Sequence, residues 1–217
     1  MTGDITQVVQ FFPELSTFQI NQLNTLGQLL REWNTRINLI SRKDIDHVYE
    51  HHILYSLAPA KFIAFNPGEK VLDVGTGGGL PGLPLAVFWP DTLFHLIDRT
   101  GKKIKTVREM AHKLALKNVT VEQTAVEEHH LLYNYVLGRG ITRFRDFVRM
   151  VRHNLMVTPA RPSGNGIIYL KGGDVEPEVR KMPCPVKIIS LSDYFSGTYF
   201  GTKKIIYCPA GKWIKER

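Results

Sequence analysis

Cysteine is scarce in this chain. Cys184 and Cys208 are the only two, too few for a disulfide framework or a four-cysteine zinc site. No apolar run approaches the ~18 residues that span a bilayer. The segment Met1 to Gln10 lacks the charged start and apolar run of a secretory signal. No internal repeat and no low-complexity stretch is present. His51, His129 and His130 lack partners at metal-ligand spacing, so no metal is expected. These absences point to a reduced, soluble, cytoplasmic protein. Its 217 residues suffice for a real core, and 43% hydrophobic with 22% charged residues is ordinary globular composition.

Charge is present in excess and unevenly. The net is +8. Residues 1–137 hold 13 Lys+Arg against 14 Asp+Glu, whereas residues 138–217 hold 15 against 6. A one-sided basic excess attracts polyanions through long-range fields and counterion release. A merely basic solvated surface would look the same in composition.

The first 65 residues read as helical. Ser16 and Gln19 form a capping-box pattern, followed by Ile20, Leu23, Leu26, Leu30 and Trp33 at helical spacing. A second helical stretch covers Asp44–Ala60. At Pro67-Gly68 the pattern changes to strands and helices in alternation. Strands are expected at Lys70–Val74, Leu93–Ile97, Val119–Ala125 and Tyr133–Leu137. Later strands are expected at Gly166–Leu170, Val186–Leu191 and Lys203–Cys208. Helices are expected at Leu83–Phe88, Lys102–Leu116 and Thr142–Leu155. This alternation with short loops implies an α/β, doubly wound, mostly parallel sheet. The late strands without helices suggest an antiparallel edge. The expected division is a helical extension over 1–65 and a Rossmann-like domain over 66–217.

The first strand runs into Asp73-Val74-Gly75-Thr76-Gly77-Gly78-Gly79. A ligand lying across a strand end needs a tight turn and close backbone approach, which glycine permits. Asp73 adds an acceptor beside a bound cation or amine. A dinucleotide site of the G-x-G-x-x-G type competes, although the third glycine comes one residue early and Gly82 complicates the count. Asp98 ends the second strand, where a carboxylate can bind a ribose diol or cap the next helix. The segment Ala125-Val126-Glu127 follows the third strand, where an adenine would sit. Together these features indicate a class I methyltransferase fold for S-adenosylmethionine, with Gly75, Gly77, Gly79 and Asp98 at the donor.

With these pieces placed, the chain resembles the RsmG/GidB family of bacterial 16S rRNA methyltransferases from about Trp33 to Gly172. The carrying residues are Trp33-Asn34, Asn38-Leu39, His52-Ile53-Leu54, Asp73–Gly82 with Leu80-Pro81-Gly82-Leu83-Pro84, Asp98 with Gly101-Lys102-Lys103, Val126-Glu127-Glu128, Arg139 and Leu170-Lys171-Gly172. The resemblance implies transfer of a methyl group to guanine N7 in the 530 loop of 16S rRNA, with the RNA or the small ribosomal subunit as partner. No stable protein partner and no membrane are implied. It places donor contacts on Gly75, Leu80, Val126, Glu127 and Arg139. The chain departs from the family at Tyr55, Gly78, Asn134, Gly138 and Gly140. The two glycines flanking Arg139 would leave that side chain more mobile.

The chemistry agrees with a ring nitrogen. Guanine N7 carries a free lone pair, so no general base is required and alignment dominates. An amine-directed enzyme commonly shows [DN]-P-P-[YFW] after strand four; here that place holds Gly138-Arg139-Gly140-Ile141. No cysteine nucleophile stands there either, and Cys184 and Cys208 read as structural. Arg139 is the candidate for orienting cofactor or base. His52 and Ser56 share a helix face and are candidates to cap the donor pocket. RNA-contact candidates are Arg99, Lys102, Lys103, Lys105 and Arg108, and a second group of Arg139, Arg143, Arg145, Arg149 and Arg152. Phe144 and Tyr55 are candidates to stack on a base. Two other readings stay open: a methyltransferase for a small molecule or protein, and a basic RNA-binding module with a degenerate cofactor loop.

Overall fold

The computed structural model describes residues 4–157, 164–180 and 182–214. Helix α1 (Thr6–Phe11) leads into α2 (Thr17–Asn34). The capping box forms as expected: Ser16 Oγ accepts from Gln19 N and Gln19 Oε1 accepts from Ser16 N. Gln19 also reaches outward, donating through Nε2 to the Val87 and Phe88 carbonyls. Helix α2 ends at Asn34, whose Oδ1 accepts from the backbone N–H of Leu39 and Ile40 and so fixes the exit turn.

The second helical stretch is less regular than its pattern suggests. A 3₁₀ turn over Arg42–His47 passes into a π-helical turn over Val48–Leu54. One α-turn, α3 (Tyr55–Leu57), and a 3₁₀ turn over Ala58–Lys61 follow. Wide π turns shift side chains off the α period, often at functional sites, and His52 lies on this one.

Beyond Phe65 the described residues build one seven-stranded sheet. Its strands are β1 (Lys70–Val74), β2 (Leu93–Asp98), β3 (Val119–Gln123), β4 (Tyr135–Arg139), β5 (Gly166–Gly172), β6 (Lys187–Ser190) and β7 (Lys203–Pro209). The order is β3-β2-β1-β4-β5-β7-β6. The first five strands pair in parallel. Strand β7 is antiparallel to both neighbours, pairing at seven positions with β5 and four with β6. The antiparallel part is therefore the β7–β6 pair, with β7 inside the sheet.

Helices α4 (Gly82–Phe88), α5 (Gly101–Lys113), α6 (Phe144–Val151) and the short α7 (Glu176–Val179) cover the sheet. Two cores result. One joins the N-terminal helices, α4 and α5 to one sheet face through Leu26, Leu30, Leu83, Leu96 and Val107. The other packs α6 on the opposite face through Leu72, Phe144, Phe147, Val151 and Tyr169. Cys184 and Cys208 lie in this second core as free thiols, 2.8 Å apart. Asn118, at the entry to β3, uses Nδ2 to donate to the carbonyls of Ala86, Trp89 and Thr92. That one amide ties the end of α4 to the start of β2.

Strand β4 begins two residues later than expected. Tyr133 forms an isolated bridge with Leu155, and Asn134 Oδ1 accepts from Lys70 N while its backbone N–H donates to the Lys70 carbonyl. The strand runs on through Gly138 and Arg139, which pair with Tyr169 and Leu170.

Candidate functional site

Strand order reverses at β1, between β2 and β4, and parallel sheets place ligands outside the strand ends at such a switch point. The glycine loop lies there. Gly75, Gly77 and Gly79 have φ of 61°, 58° and 82°. At Gly75 the missing side chain matters as well, because an added Cβ would stand 3.2 Å from Ile141 Cδ1.

The loop is tied down from beneath. Asp73 Oδ2 accepts from Thr76 Oγ1 at 2.6 Å and from Gly82 N at 2.9 Å. Asp73 is fully buried, and its Oδ1 has no hydrogen-bond partner among the described residues. Burial pushes its carboxyl up to about 7. Asp73 thus stands under the loop as a staple and does not line the cavity, a correction to its expected place beside a bound cation. Asp98 holds the other end, accepting from Gly77 N at 3.0 Å and Thr100 N at 2.8 Å.

Above the loop lies a cavity of about 360 Å³. Gly75, Asp98 and Val126 line it, joined by Ile97, Arg99, Thr100, Thr124, Ile141, Thr142 and Met150. The other donor-contact candidates stand differently. Gly77 adjoins through its bond to Asp98. Glu127 adjoins through Arg99, whose Nη2 donates to both carboxylate oxygens at 2.7 Å. Gly79 and Leu80 are buried off the cavity wall. A Cβ on Gly79 would strike Leu83, and Leu80 belongs to the N-terminal core. Ile141 and Met150 escaped the sequence reading, since a lone aliphatic after a glycine turn and a helical methionine carry no signal of their own.

Arg139 ends β4 next to this cavity without lining it, and its half-buried side chain is held by neighbours where the flanking glycines suggest mobility. It reaches His52 Nδ1 at 3.4 Å and lies 5.9 Å from the Tyr55 ring centre. Gly138 serves packing, because a Cβ there would come within 2.5 Å of Phe147 Cζ. Gly140, at φ 60°, turns the chain toward Ile141. Burial, with Arg139 alongside, pushes His52 down to about 3, so its imidazole stays neutral. Ser56 Oγ and His52 Nε2 are buried with no hydrogen-bond partner among the described residues, and neither lines the cavity. Lys203 Nζ sits 4.4 Å from the Tyr199 ring centre and 5.9 Å from Tyr55.

Base stacking by Phe144 and Tyr55 is excluded by burial. Phe144 is 0% exposed in the α6 core and Tyr55 is 5% exposed beneath Arg139 and Lys203. The basic groups, by contrast, reach solvent. Arg99, Lys102, Lys105 and Arg108 are exposed on and before α5, with Lys103 half-buried. Arg143, Arg145 and Arg149 are exposed on α6 and line a cavity of about 580 Å³ with Asp146, Asp174, Pro177 and Glu178. Arg149 pairs at 3.6 Å with Asp146. Arg161, Lys181, Lys215 and Arg217 of the basic C-terminal excess lie outside the described residues.

The histidines also differ from expectation. His51 has His47 and Glu50 beside it, and His129 has His95 and Glu122. The second set comes from three separate segments, which is why spacing along the chain did not show it.

The model of the family described as rRNA small subunit methyltransferase G matches residues 19–196. The chain is 46% identical over 200 residues to the ribosomal RNA small subunit methyltransferase G of Christiangramia forsetii, covering 92% of this chain and 94% of that one. It is 42% identical to the protein of the same name from Bacteroides thetaiotaomicron, covering 92% and 97%. Among solved structures, a SAM-dependent methyltransferase from Aquifex aeolicus superposes with a TM-score of 0.54 at 16% identity, covering 79% of this chain and 100% of that one. A precorrin-6y C5,15-methyltransferase from Geobacter metallireducens gives 0.54 at 12% identity over 72% and 87%. These distant structures share the fold.

Proposed function

The chain belongs to the rRNA small subunit methyltransferase G family, and on that premise we propose that it methylates N7 of a guanine in the 530 loop of 16S rRNA. It is an S-adenosylmethionine-dependent methyltransferase with the class I fold. The observation that carries the site reading is Gly75, whose missing side chain keeps the cavity wall clear beside Ile141, together with Asp98 lining the same cavity at the sheet's switch point.

The lining fits the donor. Asp98 keeps oxygen lone pairs for a ribose diol while it holds Gly77 and Thr100. Ile97, Val126, Ile141 and Met150 give aliphatic walls suited to a purine face. We assign donor contacts to Gly75, Asp98 and Val126. Gly77, Gly79 and Leu80 shape the loop, and Glu127 acts through Arg99.

When bound, the donor supplies a methyl already activated on a sulfonium. The protein's task is then alignment and exclusion of water. Arg139, held between His52 and Tyr55 next to the cavity, is a positioning group for the base or its phosphate. His52, kept neutral, adds no second positive charge beside a base that becomes cationic. The exposed arginines of α6 and the α5 lysines supply phosphate contacts. The work takes place in the cytoplasm on naked 16S rRNA or a small-subunit particle. No helix among the described residues is long and apolar enough to cross a membrane.

The test is methyl transfer from labelled donor to 30S particles and to naked 16S RNA, followed by mapping. Label at a single guanine N7 in the 530 loop is expected. Donor binding without transfer to either RNA would overturn the reading.

A further inference from the structure

We propose that His95, Glu122 and His129 form a binding site for a transition-metal dication of the zinc class, away from the donor cavity. The three residues meet because of sheet register. His95 pairs with Thr120 and Ile97 with Glu122, so His95 and Glu122 share one face of the β2–β3 pair. His129 comes over that face from the turn after Val126–Glu128.

The distances suit coordination. Glu122 Oε2 lies 3.1 Å from His95 Nε2 and 3.5 Å from His129 Nδ1. All three donor atoms lie within 4.8 Å of one another. A tetrahedral ion with 2.0–2.1 Å bonds has donor separations of about 3.3–3.4 Å. Two imidazoles and one carboxylate suit zinc and its neighbours better than calcium or magnesium.

The rear of each imidazole is already fixed. Tyr133 Oη lies 2.6 Å from His95 Nδ1 and 2.7 Å from His129 Nε2. Ligand histidines characteristically give their second N–H to an oxygen in this way. With an ion in place, the two lone pairs of the Tyr133 oxygen receive both N–H groups.

Proton counting favours a cation at this point. Glu122, His95, Tyr133 and His129 form a ring of four polar contacts, each needing one proton. Two neutral imidazoles and a phenol supply three. One of the four contacts therefore sets two lone pairs against each other, and a dication held by both imidazoles and the carboxylate removes that repulsion.

Access and anchorage are both present. The Glu122 side chain is 47% exposed while that of His129 is 4% exposed. His95 and Tyr133 also line a cavity of about 600 Å³ that gives an ion a path in. An ion here would fasten His129 to the sheet three residues after Val126, which lines the donor cavity.

The experiment titrates the whole protein with Zn²⁺ by calorimetry and with Co²⁺ by visible absorption. One ion per chain with tetrahedral cobalt bands, displaced by Zn²⁺, is expected. Glu122→Gln and His95→Asn should each weaken binding at least about tenfold, and Tyr133→Phe by about 10–100-fold. His51→Gln, at the other histidine cluster, should leave it unchanged. Thermal melts confirm that each variant is folded. Absence of binding, or binding lost in His51→Gln and kept in Glu122→Gln, overturns the proposal.

Discussion

Gly75 is the residue at which sequence, backbone and ligand space meet. A side chain there needs φ near 61° and stands 3.2 Å from Ile141. Gly75→Val should therefore weaken donor binding more than about tenfold, measured by calorimetry, while the melting curve shows a folded protein. Asp73 and His52 make a second residue-level prediction, with opposite signs. Asp73 is raised from 3.8 to about 7 in the folded state, so its protonated form is favoured there. Its contribution is full below pH 3.8 and is lost as pH rises to about 7. His52 falls from 6.5 to about 3, so its contribution is full above pH 6.5 and is lost as pH falls toward 3. Denaturant melts across pH 3–8 check both. Relative to wild type, Asp73→Asn should gain stability as pH rises through that window, and His52→Gln should gain it as pH falls.

Among the elements, β4 and α6 depend on each other through Gly138. Its missing side chain admits the buried Phe147 ring. Gly138→Ala should cost about 1–3 kcal/mol through overpacking, and Gly138→Ala with Phe147→Leu should recover part of it, as read from urea melts. The same pair shows where sequence reasoning stops. Short, mostly apolar runs in alternation with helical segments located β1, β2 and β5, and the Ser16–Gln19 capping box located the start of α2. Strand propensity ended β4 at Leu137, because glycine and arginine argue against a strand interior. Pairing with Tyr169 and Leu170 overrides that preference. The π-helical turn at Val48–Leu54 is invisible to a 3.6-residue period. In the site, the loop motif brought Gly75 and Asp98 to one cavity, yet it could not separate Gly75, on the wall, from Gly79 and Leu80, in the packing behind it. Stacking by Phe144 failed because its aromatic character was legible and its burial was not. His95 and Glu122 went unnoticed because only strand register joins them.

On the scale of the whole molecule, the charge split becomes a surface. Arg143, Arg145 and Arg149 stand exposed on α6, and the lysines of α5 stand beside Asp98. If these contacts bind phosphate, log affinity for 16S RNA falls linearly with log salt. Replacing Arg145 and Arg149 by alanine should then lower the slope by about one for each arginine. Filter binding across a salt series reads this directly, and an unchanged slope would place the RNA on another face. The family relationship names the substrate, while the slope reports which side of the protein meets it.

The position of β7 has a consequence for how the protein is made. The last strand among the described residues is an inner strand of the sheet, bonded to β5 on one side and β6 on the other. A nascent chain still lacking residues 203–209 leaves β5 with an open edge and β6 with no strand to pair with. The parallel half can assemble during synthesis, but the sheet closes only when those residues clear the exit tunnel. Closure of the sheet is thus a late, long-range step, set by a strand that follows β6 in the chain yet inserts beside β5.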